Sequence, residues 1–553
     1  MEGDPAGSPG RLQRIAPLAL LAAALIVAAS VLLSYASGLT YFQDAWEFLM
    51  NRRAFTADAF LAPHGEHIVV VPVAIQQLLL MAFGMGSARS GDVVLVFALL
   101  ATAALVFAYV RRRLGAWPGL IAAVLLLFLG PAWQDLLWPF QISLVGSLLC
   151  GVAMLLALER DDGRGDAVAC AFLALSIGFS SLGVAFAAGA AVDVLQHRRR
   201  RGLRRAYVAV VPLLLYLAWY AGWGHEAESQ LTLHNVFVSP RFVLEGLSGS
   251  LGSLLALSTI AGEAVGRSKW GYVALALLVA GLAWALRRGH RPSSRLWPAL
   301  ASAAAFWFLA AFNFVPGREA YSSRYLYVGA AFALLIVADL LAGRRPGRRA
   351  LLPVAAAAIA IAVLNLSPLR EGRDFFRSQT VLTRSDLAAI EIARRTVDPE
   401  FALPPEVAGT SFLNEIRAGE YLQAVDEYGS PAYTAAELAR AQEAGRRQAD
   451  VVLANALPVT IETVPRSSGV RTGGPSCKAL GRAPLALRPG LSRIELAGGG
   501  LATIRLRRFS RGYPLVSEGV PGGSTTLLRI PADAAARPWQ LQVETAQGVA
   551  LCR

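Results

Sequence analysis

Three groups of polar residues border long apolar stretches of the chain, where each would be costly unless it had a role. The first contains Asp44 and Glu47, followed by the segment Pro-His64-Gly-Glu66-His67. Asp44 comes just after the first apolar stretch, and partial desolvation there makes a carboxylate a stronger base towards a hydroxyl. The alternative for Asp44 is a solvated helix cap or an interface anchor.

The other two groups border later apolar stretches. Trp138 and Gln141 belong to the segment Trp133-Gln-Asp-Leu-Leu-Trp-Pro-Phe-Gln141, where tryptophan is usually an interfacial anchor and a buried amide needs partners. Arg318, Tyr321 and Arg324 lie within residues 316–325. Two arginines there could clamp a phosphate with forked hydrogen bonds, or extend to lipid headgroups.

A metal site is a further possibility in the first group. His64, Glu66 and His67 could bind a divalent cation together with Asp44 or Glu47, but the spacing is not that of a zinc protease. A hydrogen-bonded loop that positions substrate is the simpler interpretation. We therefore expect no metal ligand and no cofactor.

The composition indicates a membrane protein. Of 553 residues, 55% are hydrophobic and 16% charged, and the mean hydropathy is +0.48. The net charge of +14 is concentrated in short arginine-rich links between apolar runs, which argues against nucleic-acid binding. The preference for arginine over lysine, with abundant alanine and leucine, suggests a bacterial source. Eleven spans are predicted, at residues 15–35, 93–110, 117–130, 140–158, 168–179, 184–195, 207–220, 272–286, 296–312, 325–341 and 351–366.

Positive charge sets the orientation of these spans. Arginine-rich links follow alternate spans, which places them and residues 1–14 in the cytoplasm and the carboxy terminus outside the plasma membrane. The alternation requires that the apolar stretches 68–84 and 242–260 do not cross. The expected organisation is an all-α polytopic membrane domain at 15–370 with an outer loop at 37–91.

The polar last third is expected to be an extracytoplasmic α+β region. Residues 371–458 should be helical, with helices at 386–395 and 435–456, and residues 459–553 should form a small β-rich module. Cys477 and Cys552 are expected to form a disulfide if this region faces an oxidising compartment. Cys150 and Cys170 lie in apolar runs as inert small residues.

On these motifs and this topology, the first 370 or so residues resemble the GT-C glycosyltransferases, polytopic enzymes that use polyprenyl-phosphate sugars. The resemblance rests on Asp44, the Pro-His64-Gly-Glu66-His67 segment, the loop from Trp138 to Gln141, and Ser-Arg324-Tyr. It implies transfer of a sugar from a membrane-lipid donor to a glycan, lipid or protein acceptor at the outer face. Asp44 would be the base, Arg318 and Arg324 would bind the donor phosphate, and Glu47, His64, Glu66, His67, Trp138, Gln141 and Tyr321 would line the substrate pocket.

The sequence departs from this class in part and leaves other functions open. The acidic partner of Asp44 is Glu47, three residues later, and no Asp-x-Asp motif supports a metal-dependent variant. A transporter or flippase of lipid-linked saccharides would favour repeated halves, which are not visible. A polymerase or ligase would use the polar residues around His225 and His234. A non-catalytic scaffold is the remaining alternative.

Overall fold

The computed structural model describes residues 11–201, 204–227, 230–262, 267–289, 292–344, 346–407, 413–465, 478–480, 483–496, 500–533, 535, 537–545 and 549–552. The chain divides into two compact units. The helical unit comprises Met1–Gly38, Arg52–Leu79 and Arg89–Phe375, and the C-terminal unit comprises Leu39–Asn51, Leu80–Ala88 and Phe376–Arg553.

Up to residue 456, the regular elements of the described residues are all helices. They are α1 (Arg11–Tyr35), α2 (Ala45–Asn51), α3 (Ala57–Leu61), α4 (Val70–Phe83), α5 (Arg89–Leu114), α6 (Ala116–Leu127), α7 (Trp133–Leu137), α8 (Ile142–Leu158), α9 (Gly163–Phe179), α10 (Leu182–Arg201), α11 (Tyr207–Gly222), α12 (Leu233–Leu254), α13 (Leu257–Ala261), α14 (Lys269–Arg287), α15 (Leu296–Phe312), α16 (Ser323–Leu340), α17 (Arg348–Leu364), α18 (Leu366–Ala393), α19 (Ala418–Tyr428), α20 (Ala435–Arg440) and α21 (Glu443–Ala456). Short 3-10 turns lie at Gly130–Ala132, Pro139–Gln141, Gly224–Glu226 and Leu413–Glu415.

Several helices are long and apolar enough to cross a membrane. Within the described residues there are five such stretches: Ile15–Tyr35, Arg89–Leu114, Pro139–Leu158, Ser323–Leu340 and Arg349–Ala393. A sixth is added if Ala116–Leu127 and Gly130–Leu137, bent by 46°, form one broken span. Shorter apolar helices lie at Val70–Phe83, Leu182–His197, Tyr207–Gly222, Lys269–Trp284 and Leu296–Phe312. The prediction of a helical domain with several spans is confirmed, whereas the number eleven is not.

Ion pairs join the arginine-rich helix ends that the charge pattern assigned to one side. Arg113, near the end of α5, pairs with Asp339 near the end of α16. Arg205, before α11, pairs with Asp193 on α10 at 3.1 Å, and Asp193 also pairs with Arg295 before α15. Both aspartates are fully buried, and a buried charge needs such partners. One end of the helical unit is therefore an arginine–aspartate network.

The Gly/Ser-rich helix α12 contacts the opposite ends of its neighbours. Near its start, Asn235 Nδ2 donates to the carbonyl oxygens of Phe312 and Phe314 at 2.9 and 3.0 Å, just after α15. Near its end, the carbonyl oxygen of Ser253 accepts from Asn365 Nδ2 at 3.2 Å, just after α17. Gly246 packs directly under the ring of Trp307 because it lacks a Cβ. Both ends of α12 thus lie at the end of the unit opposite the arginine–aspartate network.

The C-terminal unit has one hydrophobic core that combines helices, strands and two short segments from the first third of the chain. The rings of Trp46 on α2 and Tyr421 on α19 pack edge-to-face, with centroids 6.4 Å apart. Leu453 of α21 and Ile494 are fully buried in the same cluster. The helical region and the β-rich module, which the sequence analysis separated, therefore share a core.

Two helix boundaries differ from the sequence predictions. The helix expected at 386–395 is the end of the 28-residue α18. The helix expected at 435–456 is interrupted between Arg440 and Glu443, where Ala441 and Gln442 have extended backbone. The first part, α20, begins with a complete capping box formed by Thr434 and Glu437. Gly445 allows close packing, because a Cβ there would lie 2.5 Å from Ser385 Oγ.

The β-rich module is an antiparallel sandwich. Its strands are β1 (Thr460–Pro465), β2 (Lys478–Leu480), β3 (Leu485–Leu487), β4 (Gly490–Leu496), β5 (Leu501–Arg507), β6 (Leu515–Pro521), β7 (Ser524–Ile530), β8 (Trp539–Glu544) and β9 (Val549–Cys552). One sheet has the order β1-β7-β4-β9-β2 and the other β3-β8-β5-β6. Strands β2 to β9 have the connectivity of an eight-stranded jelly roll. The predicted β-rich region is confirmed.

Candidate functional site

A tight turn presents the histidines and the glutamate of the first polar group. His64 and His67 exchange two backbone hydrogen bonds of 3.0 Å, so Gly65 and Glu66 form the tip. Gly65 has a φ of +54°, which a residue with a Cβ rarely adopts. Ser181 Oγ donates to the carbonyl oxygen of Glu66 at 3.3 Å and holds the tip against the α9–α10 connection.

Arg52 fixes the chain that leads into this turn. Its guanidinium is buried and donates to the carbonyl oxygens of Ala62 at 2.7 Å and Pro63 at 2.8 Å. Trp219 of α11 donates from Nε1 to the carbonyl oxygen of Leu61 at 2.7 Å. The segment before the turn is thereby attached to Arg52 and to α11.

The Glu66 carboxylate joins two of the predicted groups. Arg318 donates to Oε1 at 3.3 Å and to Oε2 at 3.4 Å, and His67 Nε2 lies 3.5 Å from Oε1. Burial raises the pKa of Glu66, but the charges of His67 and Arg318 outweigh it, so the pKa lies below the ordinary 4.5. Glu66 is therefore ionised at neutral pH.

His67 is neutral at the same pH. Burial lowers the pKa of His67 below 6.5, the Glu66 charge opposes this, and the charges of His64, Arg318 and Arg324 reinforce it. Among the described residues, His67 Nδ1 is enclosed and has no hydrogen-bond partner. The ring can thus offer one nitrogen to a ligand without adding a charge.

Arg324 lies in the first turn of α16, beside a group of enclosed polar atoms. Its charge acts on Asp135 of α7, which is fully buried, and Asp135 in turn acts on Tyr327. Among the described residues, the Arg324 Nε–H has no hydrogen-bond acceptor and the Tyr327 hydroxyl has no hydrogen-bond partner. Buried polar atoms without partners are costly, and they mark places where a ligand or water binds.

Ser323 holds α7 against the start of α16. Its hydroxyl donates to the carbonyl oxygen of Pro131 at 2.8 Å and accepts from the backbone N–H of Gln134 at 3.0 Å. These two bonds fix Asp135 next to Arg324.

The loop from Trp138 to Gln141 adjoins the turn formed by His64 to His67. Trp138 and Gln141 are buried, and the Trp138 ring stacks on Phe140 with centroids 5.4 Å apart. The Phe140 ring also meets the His64 ring edge-on at 5.1 Å. The structure therefore places Trp138 near His64 through Phe140. Tyr321 is half-buried and lies 5.9 Å from the guanidinium of Arg267, a cation that the sequence analysis did not consider.

Asp44 and Glu47 belong to the C-terminal unit, whereas the other predicted site residues belong to the helical unit. Asp44 precedes α2 and Glu47 lies in its first turn. Both side chains are half-buried, and the helix is fixed by Trp46, Leu49 and Met50 in the core. The structure therefore explains how the α2 backbone is held.

The remaining predicted residues are cysteines and metal ligands. Cys477 lies outside the described residues, Cys552 ends β9, and Cys150 and Cys170 are free thiols. Within the described part of the chain, no three His, Cys, Asp or Glu side chains are grouped so as to hold a metal ion.

Sequence reasoning assigned no site role to four residues: Arg52, Asp135, Ser323 and Tyr327. Asp135 had a usable signal, because an acid between two tryptophans in an apolar stretch needs a partner. Arg52 is one of few cations in the first outer loop. Ser323 belongs to the Ser-Arg324-Tyr motif that carries the resemblance. Tyr327 has no such signal, since tyrosine is common in membrane helices.

Comparisons with known proteins found similarity to solved structures. No family model and no curated protein matches the sequence. The crystal structure of ArnT from Cupriavidus metallidurans bound to undecaprenyl phosphate is similar at 15% identity and a TM-score of 0.45, covering 76% of this chain and 90% of that chain. ArnT is a GT-C glycosyltransferase, the class that the sequence resembles.

Proposed function

We propose that this protein is a membrane glycosyltransferase that moves a sugar from a polyprenyl-phosphate donor to an acceptor hydroxyl at the outer face of a bacterial plasma membrane. The observation that carries the proposal is the cluster of Arg318, Glu66, His67 and Arg324 at the end of the helical unit opposite the arginine–aspartate network. Together with the resemblance in sequence, this cluster favours a phosphate ligand.

The charges suit a phosphodiester donor. Arg318 and Arg324 supply two positive charges and forked N–H donors, and the ionised Glu66 holds Arg318 in place. When the bond between the sugar carbon and the phosphate oxygen breaks, negative charge grows on the leaving lipid phosphate. Arginines fixed beforehand stabilise that charge without reorganising during the reaction.

The acceptor side needs a base. In the proposed step the acceptor oxygen bonds to the anomeric carbon, the glycosidic bond to phosphate breaks, and the hydroxyl proton passes to the carboxylate of Asp44. Products are the glycosylated acceptor and the free lipid phosphate. The fixed position of Asp44 at the start of α2 supports this role, since a base must be held in place to act.

Replacement of Asp44 by Asn tests the proposal. Envelope glycans are compared by mass spectrometry in a deletion strain that carries wild-type protein, Asp44→Asn or Asp58→Asn. Asp58 is the matched control, a carboxylate of the same loop that accepts a hydrogen bond from Trp223 Nε1 at 3.0 Å. All three proteins must reach equal levels in the membrane.

We expect wild type and Asp58→Asn to restore a missing sugar and Asp44→Asn to fail, with the lost mass identifying the sugar. If Asp44→Asn restores the sugar as well as wild type, Asp44 is not the base, and transport or joining of lipid-linked saccharides becomes the better explanation.

A further inference from the structure

A groove of about 530 Å³ lies on the helical unit beside the arginine–aspartate network. We call it the arginine-end groove. It lies between the ends of α5 and α16 and the starts of α6 and α17, and its wall includes Leu114, Ile121, Leu125, Leu334, Leu341 and Leu351. Its volume is typical of a ligand pocket, but its wall is almost entirely aliphatic. Such a wall suits a hydrocarbon chain.

The groove is separate from the candidate functional site. Arg324 begins α16, whereas Leu341 lines the groove just beyond the end of the same helix. At 1.5 Å per residue, the two positions are about 25 Å apart along the helix axis. A phosphate bound at this end of the groove is therefore not the donor phosphate that we place at Arg324.

The groove borders a surface that suits lipid. Leu352 and Val354 on α17 are 73% and 51% exposed, and Val354 also lines the groove. On a helix of a membrane protein, exposed aliphatic side chains of this kind face hydrocarbon. A lipid chain can thus enter the groove sideways from the bilayer.

The side chain of Arg344 provides a positive charge at the polar end of the groove. Arg344 lines it and is exposed, and the backbone N–H of Gly343 donates to the carbonyl oxygen of Arg113 at 3.3 Å, which fixes this turn to α5. Arg112 pairs with Glu159 at 2.6 Å and Arg113 with Asp339. Among the described residues, no carboxylate lies within 4.0 Å of Arg344. Its guanidinium is available for an anion.

We propose that the arginine-end groove binds one acyl chain of an anionic phospholipid, with the lipid phosphate on Arg344. The guanidinium offers a fork of N–H donors that matches a phosphate. A zwitterionic lipid brings its own ammonium group, which competes with Arg344 for the phosphate, whereas phosphatidylglycerol does not. Basic sites at the ends of membrane helices select anionic lipids for this reason.

Lipid binding to the full-length protein tests the proposal. Delipidated protein is titrated by native mass spectrometry with phosphatidylglycerol or phosphatidylcholine of identical acyl chains. The test variants are Arg344→Gln, which removes the proposed phosphate contact, and Ile121→Trp, which fills the groove. The control is Arg349→Gln, which changes an exposed arginine in the first turn of α17 that does not line the groove. Each must keep the thermal unfolding midpoint of wild type.

We expect wild type to prefer phosphatidylglycerol by about fivefold, the contribution of one arginine near a membrane surface. Arg344→Gln should abolish the preference and Arg349→Gln should keep it. Ile121→Trp should weaken binding of both lipids. Equal binding of the two lipids by wild type refutes the proposal without any variant. An unchanged preference in Arg344→Gln, or an equal loss in Arg349→Gln, also refutes it.

Discussion

Asp450 connects α21 to the loop between β5 and β6, and its removal gives a sharp test of how the C-terminal unit is held together. The carboxylate is fully buried. Oδ1 accepts from the backbone N–H of Phe509 at 2.7 Å, and Oδ2 accepts from the backbone N–H groups of Arg508 and Ser510 at 2.9 and 3.0 Å. The Ser510 hydroxyl lies 2.6 Å from Oδ2.

The cost of substitution follows from these bonds. Asp450→Ala leaves three buried N–H donors without partners, at about 1–3 kcal/mol each, so we expect a loss of at least about 3 kcal/mol in the free energy of unfolding of this unit. Asp450→Asn keeps one side-chain oxygen, which can still accept the hydrogen bonds from the backbone N–H groups of Arg508 and Ser510. It should lose about 1–3 kcal/mol, because the Phe509 N–H then faces an amide NH₂.

Pulse proteolysis of the full-length protein in increasing urea measures the loss, with the fraction of intact C-terminal unit as the readout. Asp426→Ala is the control, since Asp426 pairs with Arg394 at 2.8 Å on the surface and should contribute less than about 1 kcal/mol. The reasoning is refuted if Asp450→Ala shifts the urea midpoint no further than Asp426→Ala. Because α2 packs in the same core, Asp450→Ala should also lower activity, whereas Asp44→Asn should leave the midpoint unchanged.

Two further predictions concern the helical unit. The pKa values of Glu66 and His67 are lowered, so their charges stay constant from pH 7 to 8 and donor binding should not change over that range. The contribution of the Glu66–Arg318 ion pair to the stability of the folded protein is fully present above the ordinary glutamate pKa of 4.5. It is lost as the pH falls through the lowered pKa of Glu66. A donor-binding titration that instead changes between pH 7 and 8 and loses this change in His67→Gln would contradict the assignment. Gly246→Ala should lower the thermal unfolding midpoint in detergent, because the added Cβ would overlap the Trp307 ring at a cost of about 1–3 kcal/mol. Gly281→Ala is the control and should leave the midpoint unchanged, because a Cβ there meets open space. Equal midpoints for the two variants would show that the close approach of Gly246 to Trp307 is unimportant.

Much of the architecture could be predicted from local patterns. Apolar runs interrupted by arginine-rich links indicated a helical membrane domain, because lipid requires every backbone group to be bonded within a segment. The polar last third indicated a β-rich module at 459–553, where the structure has strands such as β4 and β5. Each of these signals depends on neighbours in sequence.

The helix ends were also grouped correctly by charge. Arg205 and Arg295 share Asp193 as an ion-pair partner, and Arg113 pairs with Asp339. However, the sequence showed only the arginines, and not the buried aspartates that neutralise them.

The sequence by itself determined which segments are helical or extended, and where polar residues of the right chemistry are concentrated. Only the tertiary structure decided which of them meet. Glu66 and Arg318 are 252 positions apart in sequence and share a contact, and Asp135 is buried beside Arg324. Likewise, the α2 helix that follows Asp44 packs in a core formed mainly by residues after 376. Such pairings depend on the packing of distant segments against each other, and one sequence contains no local pattern that specifies them.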